Sequence, residues 1–305
     1  MRAEHIKRSR LVGAVLLALW LGACVQGPRD VYVGKGLFGD IIVYDNAQGF
    51  RTLEFERGGG RQSVVKLGDP AHLEHEYTRI AMIGLALARH PPERILVVGL
   101  GGGVMPRFLH HAYPDSRIDV VEIDPSVLQV AERYFGLRPD ARLQVHVGDG
   151  RAFIERAKQA SYDLIFLDAF GGTVVPSHLA TVEFLGAVRA ALRSDGVVVS
   201  NLWGPNVNPR YHDMLSTQRA AFEALQIVYA PHDVNVVVFG LPRVESITRA
   251  DLAAQARRLG PVSVFRDDLG ALVEQGWLDA DRVAVHGKIL RDPAGKASAG
   301  VRSPL

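Results

Sequence analysis

The chain of 305 residues has a single cysteine, Cys24, so it can form no intrachain disulfide and no multi-cysteine zinc or iron–sulfur site. It also lacks an excess of either charge. Its 35 Lys+Arg against 33 Asp+Glu leave +2, too little to point to nucleic acid as a partner. No apolar run is long enough to span a bilayer: LVGAVLLALWLGA (11–23) would reach only ~20 Å as a helix, against a hydrocarbon core of ~30 Å. There is no internal repeat, no G-x-S-x-G elbow and no HExxH pair, which leaves a hydrolase triad and a zinc-protease site without support. His72-Leu73-Glu74-His75-Glu76 has the wrong spacing, and His110 and His111 are adjacent and face different ways on a helix, so no metal is expected. What is present is 48% hydrophobic and 22% charged residues, enough apolar material for a large core.

The amino terminus has the form of an export signal. Arg2, Lys7, Arg8 and Arg10 precede the apolar run, and small residues close it. Leu21-Gly22-Ala23-Cys24 resembles the lipobox of bacterial lipoproteins. That resemblance implies a signal peptide at 1–23, a lipid on Cys24 and a membrane-anchored mature chain outside the cytoplasm, on the periplasmic face. Residues 24–37 then read as a tether.

Beyond it, IIVY, RTLEF and QSVVKL are short β-type runs separated by turn residues, and they predict a small antiparallel subdomain over 38–70. From 71 to 245 strands alternate with helices. RILVVG, RIDVVEI, RLQVHV, YDLIFLD and GVVVSNL are strands, and this rhythm predicts an α/β fold, a Rossmann-like, doubly wound, mostly parallel sheet. Residues 246–285 read as a helical segment and 286–305 as a loose tail.

In such a sheet, ligands bind where strands end at their carboxyl side. Four loops there carry suggestive residues. Gly99-Leu100-Gly101-Gly102-Gly103 can turn tightly and admit a ligand to the backbone. Glu122 ends the next strand, where a carboxylate can accept two ribose hydroxyls. Gly148-Asp149-Gly150 follows the third strand, and Asp168 ends YDLIFLD. A nicotinamide dehydrogenase is disfavoured, because Val104 breaks the G-x-G-x-x-G spacing. Trp203 and Phe170 could flank a ligand ring or pack in the core.

ILVVGLGGG, VVEID, VGDGRAFI and YDLIFLDAF resemble the S-adenosylmethionine-dependent methyltransferase fold, and specifically its spermidine synthase (polyamine aminopropyltransferase) branch, over roughly residues 38–240. The resemblance implies that S-adenosylmethionine or its decarboxylated form enters as substrate. It places Gly99, Gly101 and Gly103 against the nucleoside, Glu122 on the ribose, and Asp149 and Gly150 facing the adenine. Asp168 would be the catalytic acid, with Gln62 and Tyr77 in the acceptor pocket. The implied partner is a small-molecule amine or other acceptor, and a homodimer is compatible with the family.

Two positions depart from the family pattern. Gly102 stands where the branch has an acid that helps to hold the aminopropyl ammonium, and Gly171 replaces a second acid beyond Asp168. An ammonium in a closed cleft needs anionic partners to offset lost hydration, so weak or no spermidine synthesis is expected. A small-molecule methyltransferase and a non-catalytic nucleoside- or amine-binding lipoprotein are the alternative readings.

Overall fold

The computed structural model describes residues 27–169, 175–259, 265–283 and 286–293, and two sheets follow one another along the chain. The first is antiparallel, in the order β1 (Arg29–Gly36), β2 (Gly39–Asp45), β3 (Phe50–Glu54) and β4 (Arg61–Lys66). It begins earlier than the sequence suggests. Residues read as tether form β1 instead, paired to β2 from Arg29↔Asp45 to Gly36↔Gly39. A strand rich in Gly and Lys at a sheet edge looks locally like a linker, and only its long-range partner reveals it.

Two short helices, α1 (Glu76–Ala81) and α2 (Gly84–Leu87), lead into the larger layer. That layer comprises β5 (Arg94–Val98), α3 (Val104–Ala112), β6 (Arg117–Glu122), α4 (Pro125–Tyr134), β7 (Leu143–Val147), α5 (Gly150–Arg156), β8 (Tyr162–Leu167) and α6 (Val182–Ala191). It continues through β9 (Leu192–Trp203), α7 (Tyr211–Ala221), β10 (Ala224–Tyr229), β11 (Asn235–Leu241), α8 (Arg249–Arg257), α9 (Leu269–Gly276), β12 (Trp277–Leu278) and α10 (Ala280–Val283). The strand order is β12-β10-β11-β9-β8-β5-β6-β7. Strands β7, β6, β5, β8 and β9 are parallel, whereas β11, β10 and β12 run antiparallel at one side. This is the doubly wound sheet that the alternation predicts, and β5 is its switch point, flanked by β6 and β8.

Alternation along β5 explains the two cores. Ile95 and Val97 face Phe108, Leu109 and Ile83, while Leu96 and Val98 face Phe184, Leu185 and Ile154. Fully burying such side chains contributes about 1.5–3 kcal/mol each, which holds helices on both faces of the sheet. A third cluster of Ile41, Val43, Leu53, Val65, Val127, Val130 and Phe135 seats the small sheet on α4. Polar ties fix the angle: Arg51 donates to the Tyr134 carbonyl at 2.8 Å, and the Leu37 amide to Asp124 at 2.5 Å.

Residues 286–293, expected to be loose, are docked on the fold. The amides of Gly287, Lys288 and Leu290 donate to Ser216, Asp213 and Thr217 of α7. Asp292 accepts from Arg151 at 2.7 and 2.5 Å, and its amide donates to Glu183. The segment is held by bonds from its backbone to side chains elsewhere, which leave no periodicity to read. Residues 1–26, with the signal and Cys24, and the remaining tail lie outside the described residues. Among the described residues no helix is long and apolar enough to cross a membrane.

Candidate active site

At the switch point the loop after β5 passes against the end of β8. Gly99 has φ 100°, and a Cβ there would sit 2.4 Å from the Asp168 carbonyl oxygen, so only glycine lets the two strand ends approach. The loop ends at Gly103, left-handed with φ 71°, which starts α3. Between them, the Gly102 amide donates to Ser63 Oγ at 2.8 Å, tying the loop to β4. A Cβ on Gly102 would meet Phe135 and Ser63 at 2.8 and 2.9 Å. An acid here would therefore start into packed side chains rather than open space, and α4 and β4 would have to shift to take it.

Glu122, at the end of β6, is buried. Its Oε2 accepts the Leu100 amide at 3.0 Å and its Oε1 the Asp124 amide at 2.9 Å. Burial raises its pKa, although these amides favour the charged form. Each oxygen retains an acceptor site, as a ribose diol requires. Asp124 caps α4 through Ser126, so its carboxylate is already committed to the fold.

Asp149 caps α5, accepting the Ala152 amide at 2.8 Å, while its second oxygen lies 2.8 Å from His178 Nε2. The His178 contact, against the cost of burial, lowers its pKa. Gly150 plays a packing part: a Cβ there would be 2.5 Å from Val98 Cγ1, so the glycine lets α5 lie on β5.

Asp168 extends β8, its amide donating to the Val98 carbonyl at 2.9 Å. Its Oδ1 accepts from Asn201 at 2.8 Å and its Oδ2 from the Tyr77 hydroxyl at 3.3 Å. Burial pushes its pKa up to about 6, against the lowering effect of Asn201, Tyr77 and His75. Burial and the Asp168 charge hold Tyr77 protonated, as a donor. Asn201 is itself oriented by Asn235 at 2.8 Å. The result is a carboxylate held in one orientation with a pKa near neutrality, as a general base requires.

The residues expected in the cleft, except Gly103, line one cavity of about 360 Å³: Gly99, Gly101, Glu122, Asp149, Gly150, Asp168, Gln62 and Tyr77. Gln62 is at its rim, its amide donating back to the Gly60 carbonyl. Trp203 is not in the wall, and Phe170 and Gly171 lie outside the described residues. The described lining has five carboxylates (Asp40, Glu122, Asp124, Asp149, Asp168), two histidines and no Lys or Arg. That balance suits a cation and opposes a phosphate-bearing dinucleotide. Among the described residues no cluster of three or more His, Asp or Glu is arranged to hold a metal ion.

The sequence reading assigns no part in this cleft to His75, His178, Ser63, Asn201, Asn235 or Asp233. The signal for Asn201 was within reach, since it is a polar residue at the end of a buried strand, like Glu122 and Asp168.

Comparison with known proteins resolves the lineage. The spermine/spermidine synthase domain profile matches residues 74–232. The polyamine aminopropyltransferase of Vibrio vulnificus is 42% identical over 217 residues, 70% of this chain and 71% of that protein. The chain belongs to the spermine/spermidine synthase family. Its fold matches the crystal structure of a probable spermidine synthase from Corynebacterium glutamicum, with TM-score 0.70, 22% identity, and 88% and 98% of the two chains covered. Human methyltransferase-like protein 13 in complex with SAH superposes less well, with TM-score 0.52, 28% identity, and 75% and 98% covered. The sheet is thus of the methyltransferase type, preceded by a four-stranded antiparallel sheet.

Proposed function

We propose that this protein transfers an aminopropyl group from decarboxylated S-adenosylmethionine to an amine. The observation that carries the reading is the position of Asp168 beside Tyr77 in a cavity walled by carboxylates and free of Lys and Arg among its described residues. The donor is a sulfonium, and a cavity of that charge attracts it. The nucleoside rests on the glycine loop, with Glu122 on the ribose and Asp149 near the base. The acceptor amine is held at Asp168, sheds a proton, and attacks the carbon next to sulfur. The C–S pair leaves with sulfur as a neutral thioether. Membership of the spermine/spermidine synthase family supports this chemistry.

Gly102, beside the cavity rather than in its described lining, lacks the acid of the family pattern, and packing disfavours its return. The preferred acceptor is therefore an amine that needs less anionic stabilisation at its far end than a diamine does. Calorimetry against S-adenosylmethionine, decarboxylated S-adenosylmethionine and methylthioadenosine tests the donor half. The decarboxylated donor should bind at least ~10-fold more tightly than S-adenosylmethionine, and equal or reversed affinities would favour methyl transfer.

The proposal extends to place. A lipid on Cys24 would hold the domain at a membrane outside the cytoplasm. Intact-mass analysis of the membrane fraction should give a lipidated chain beginning at Cys24, and an unlipidated wild type would contradict it.

A further inference from the structure

Within electrostatic reach of Asp168, the cavity wall contains a second group able to take a proton. His75 lines the cavity, with a side chain only 10% exposed. Its Nδ1 faces Asp233 Oδ1 at 3.9 Å, so Nε2, on the other edge of the ring, points away from that carboxylate. Nε2 is buried and has no hydrogen-bond partner among the described residues. A buried imidazole nitrogen without a partner forfeits a hydrogen bond unless a ligand supplies one.

The surroundings hold the ring in place. It lies against the Tyr77 ring, with centroids 5.6 Å apart and planes inclined by 33°. Asp233 also accepts the Tyr77 amide at 3.1 Å, and Glu76 binds the amide and Nδ1 of the neighbouring His232 at 2.8 and 2.9 Å. The loop between β10 and β11 is thereby fastened to the start of α1, at the two residues that follow His75. Burial acts to raise the Asp233 pKa, but His75 and the backbone amides outweigh it, so the carboxyl stays ionised behind the imidazole. An ionised carboxylate behind one ring nitrogen fixes the orientation of the ring.

We propose that His75, backed by Asp233, is a further catalytic residue of the acceptor site, receiving a hydrogen bond and then the proton of the acceptor amine at Nε2. The inference rests on the transfer reading above. The acceptor enters as an ammonium, R–NH₃⁺. One N–H bond breaks and its proton goes to Nε2, giving an imidazolium. The freed nitrogen pair forms the new N–C bond, and the C–S pair leaves with the sulfur of the sulfonium donor. Asp168, on the other side of the amine, accepts a hydrogen bond from a second N–H and balances the positive charge. The ionisable groups facing His75 are Tyr77 from its own helix, Asp233 from the β10–β11 loop and Asp168 from the end of β8.

The test uses His75→Phe, which keeps an aromatic ring against Tyr77, and His75→Gln as a second variant, with folding checked by circular dichroism. Release of methylthioadenosine from decarboxylated S-adenosylmethionine is followed with methylamine and with 1,4-diaminobutane. Both variants should lose at least ~10-fold in kcat at pH 7 with an unchanged KM for the donor, and one ionisation should vanish from the acid limb of the pH profile. Asp233→Asn should show a smaller loss in the same direction. Unaltered kcat and pH profile in both His75 variants would overturn the proposal. A readout independent of turnover is the ¹⁵N shift of the His75 imidazole when the amine is added to the methylthioadenosine complex. A shift at Nε2 supports the assignment and no shift overturns it, even where wild type releases no product and the transfer reading itself has failed.

Discussion

Asp168 links charge to chemistry and to stability. Its carboxyl keeps a proton up to about pH 6 in the folded chain, against an ordinary value of 3.8. Activity that needs the carboxylate should therefore rise with pH through about 6. The stability effect runs the other way. Between the ordinary value and 6 the folded state binds more protons than the unfolded, so this group destabilises the fold above pH 6 and ceases to do so as pH falls towards 4. Asp168→Asn should abolish transfer while maintaining or raising the melting temperature at pH 7.5, a gain of about 1–2 kcal/mol at most. A variant that melts lower would point to a structural acid. Glu122 behaves differently, since both its oxygens already hold backbone amides. Glu122→Gln turns an N–H₂ towards one of those donors, so nucleoside affinity should fall by ~10-fold or more in calorimetry.

At the scale of elements, the site depends on strand ends that meet closely. Gly99→Ala places a Cβ against the Asp168 carbonyl at a left-handed φ and should cost at least ~2 kcal/mol in chemical denaturation. The central parallel strands were legible because they are runs buried on both faces, as Leu96, Val97 and Val98 of β5 show. Edge strand β1 was not, because its partner β2 decides its structure and its own Gly and Lys do not. Glu122, Asp149 and Asp168 could be found from sequence since each ends a strand with a plain signature. His75 and Asp233 could not. They come from elements far apart in the chain and meet through the Glu76–His232 and Tyr77–Asp233 bonds.

For the whole molecule, three layers of contact converge on one cleft: the small sheet through Ser63, the β10–β11 loop through Asp233, and the docked tail through Arg151 beside Asp149. Arg151 and Asp292 form a two-point ion pair with side chains only 15% and 20% exposed. Removing residues 286–305 leaves Arg151 with Glu155 alone among its acids and should lower the melting temperature by several degrees, equivalent to about 1–3 kcal/mol. An unchanged melting curve would show that the tail adds nothing to the fold. The central claim concerns what happens inside the cleft, and a single assay addresses it directly. Wild type and Asp168→Asn are incubated with decarboxylated S-adenosylmethionine and a panel of monoamines and diamines between pH 5 and about 9, and methylthioadenosine and the aminopropylated amine are quantified by mass spectrometry. The account predicts amine-dependent release by wild type, half-maximal near pH 6, favouring monoamines over diamines, with none from Asp168→Asn. Absence of product with every amine, or equal rates from the two proteins, would contradict it.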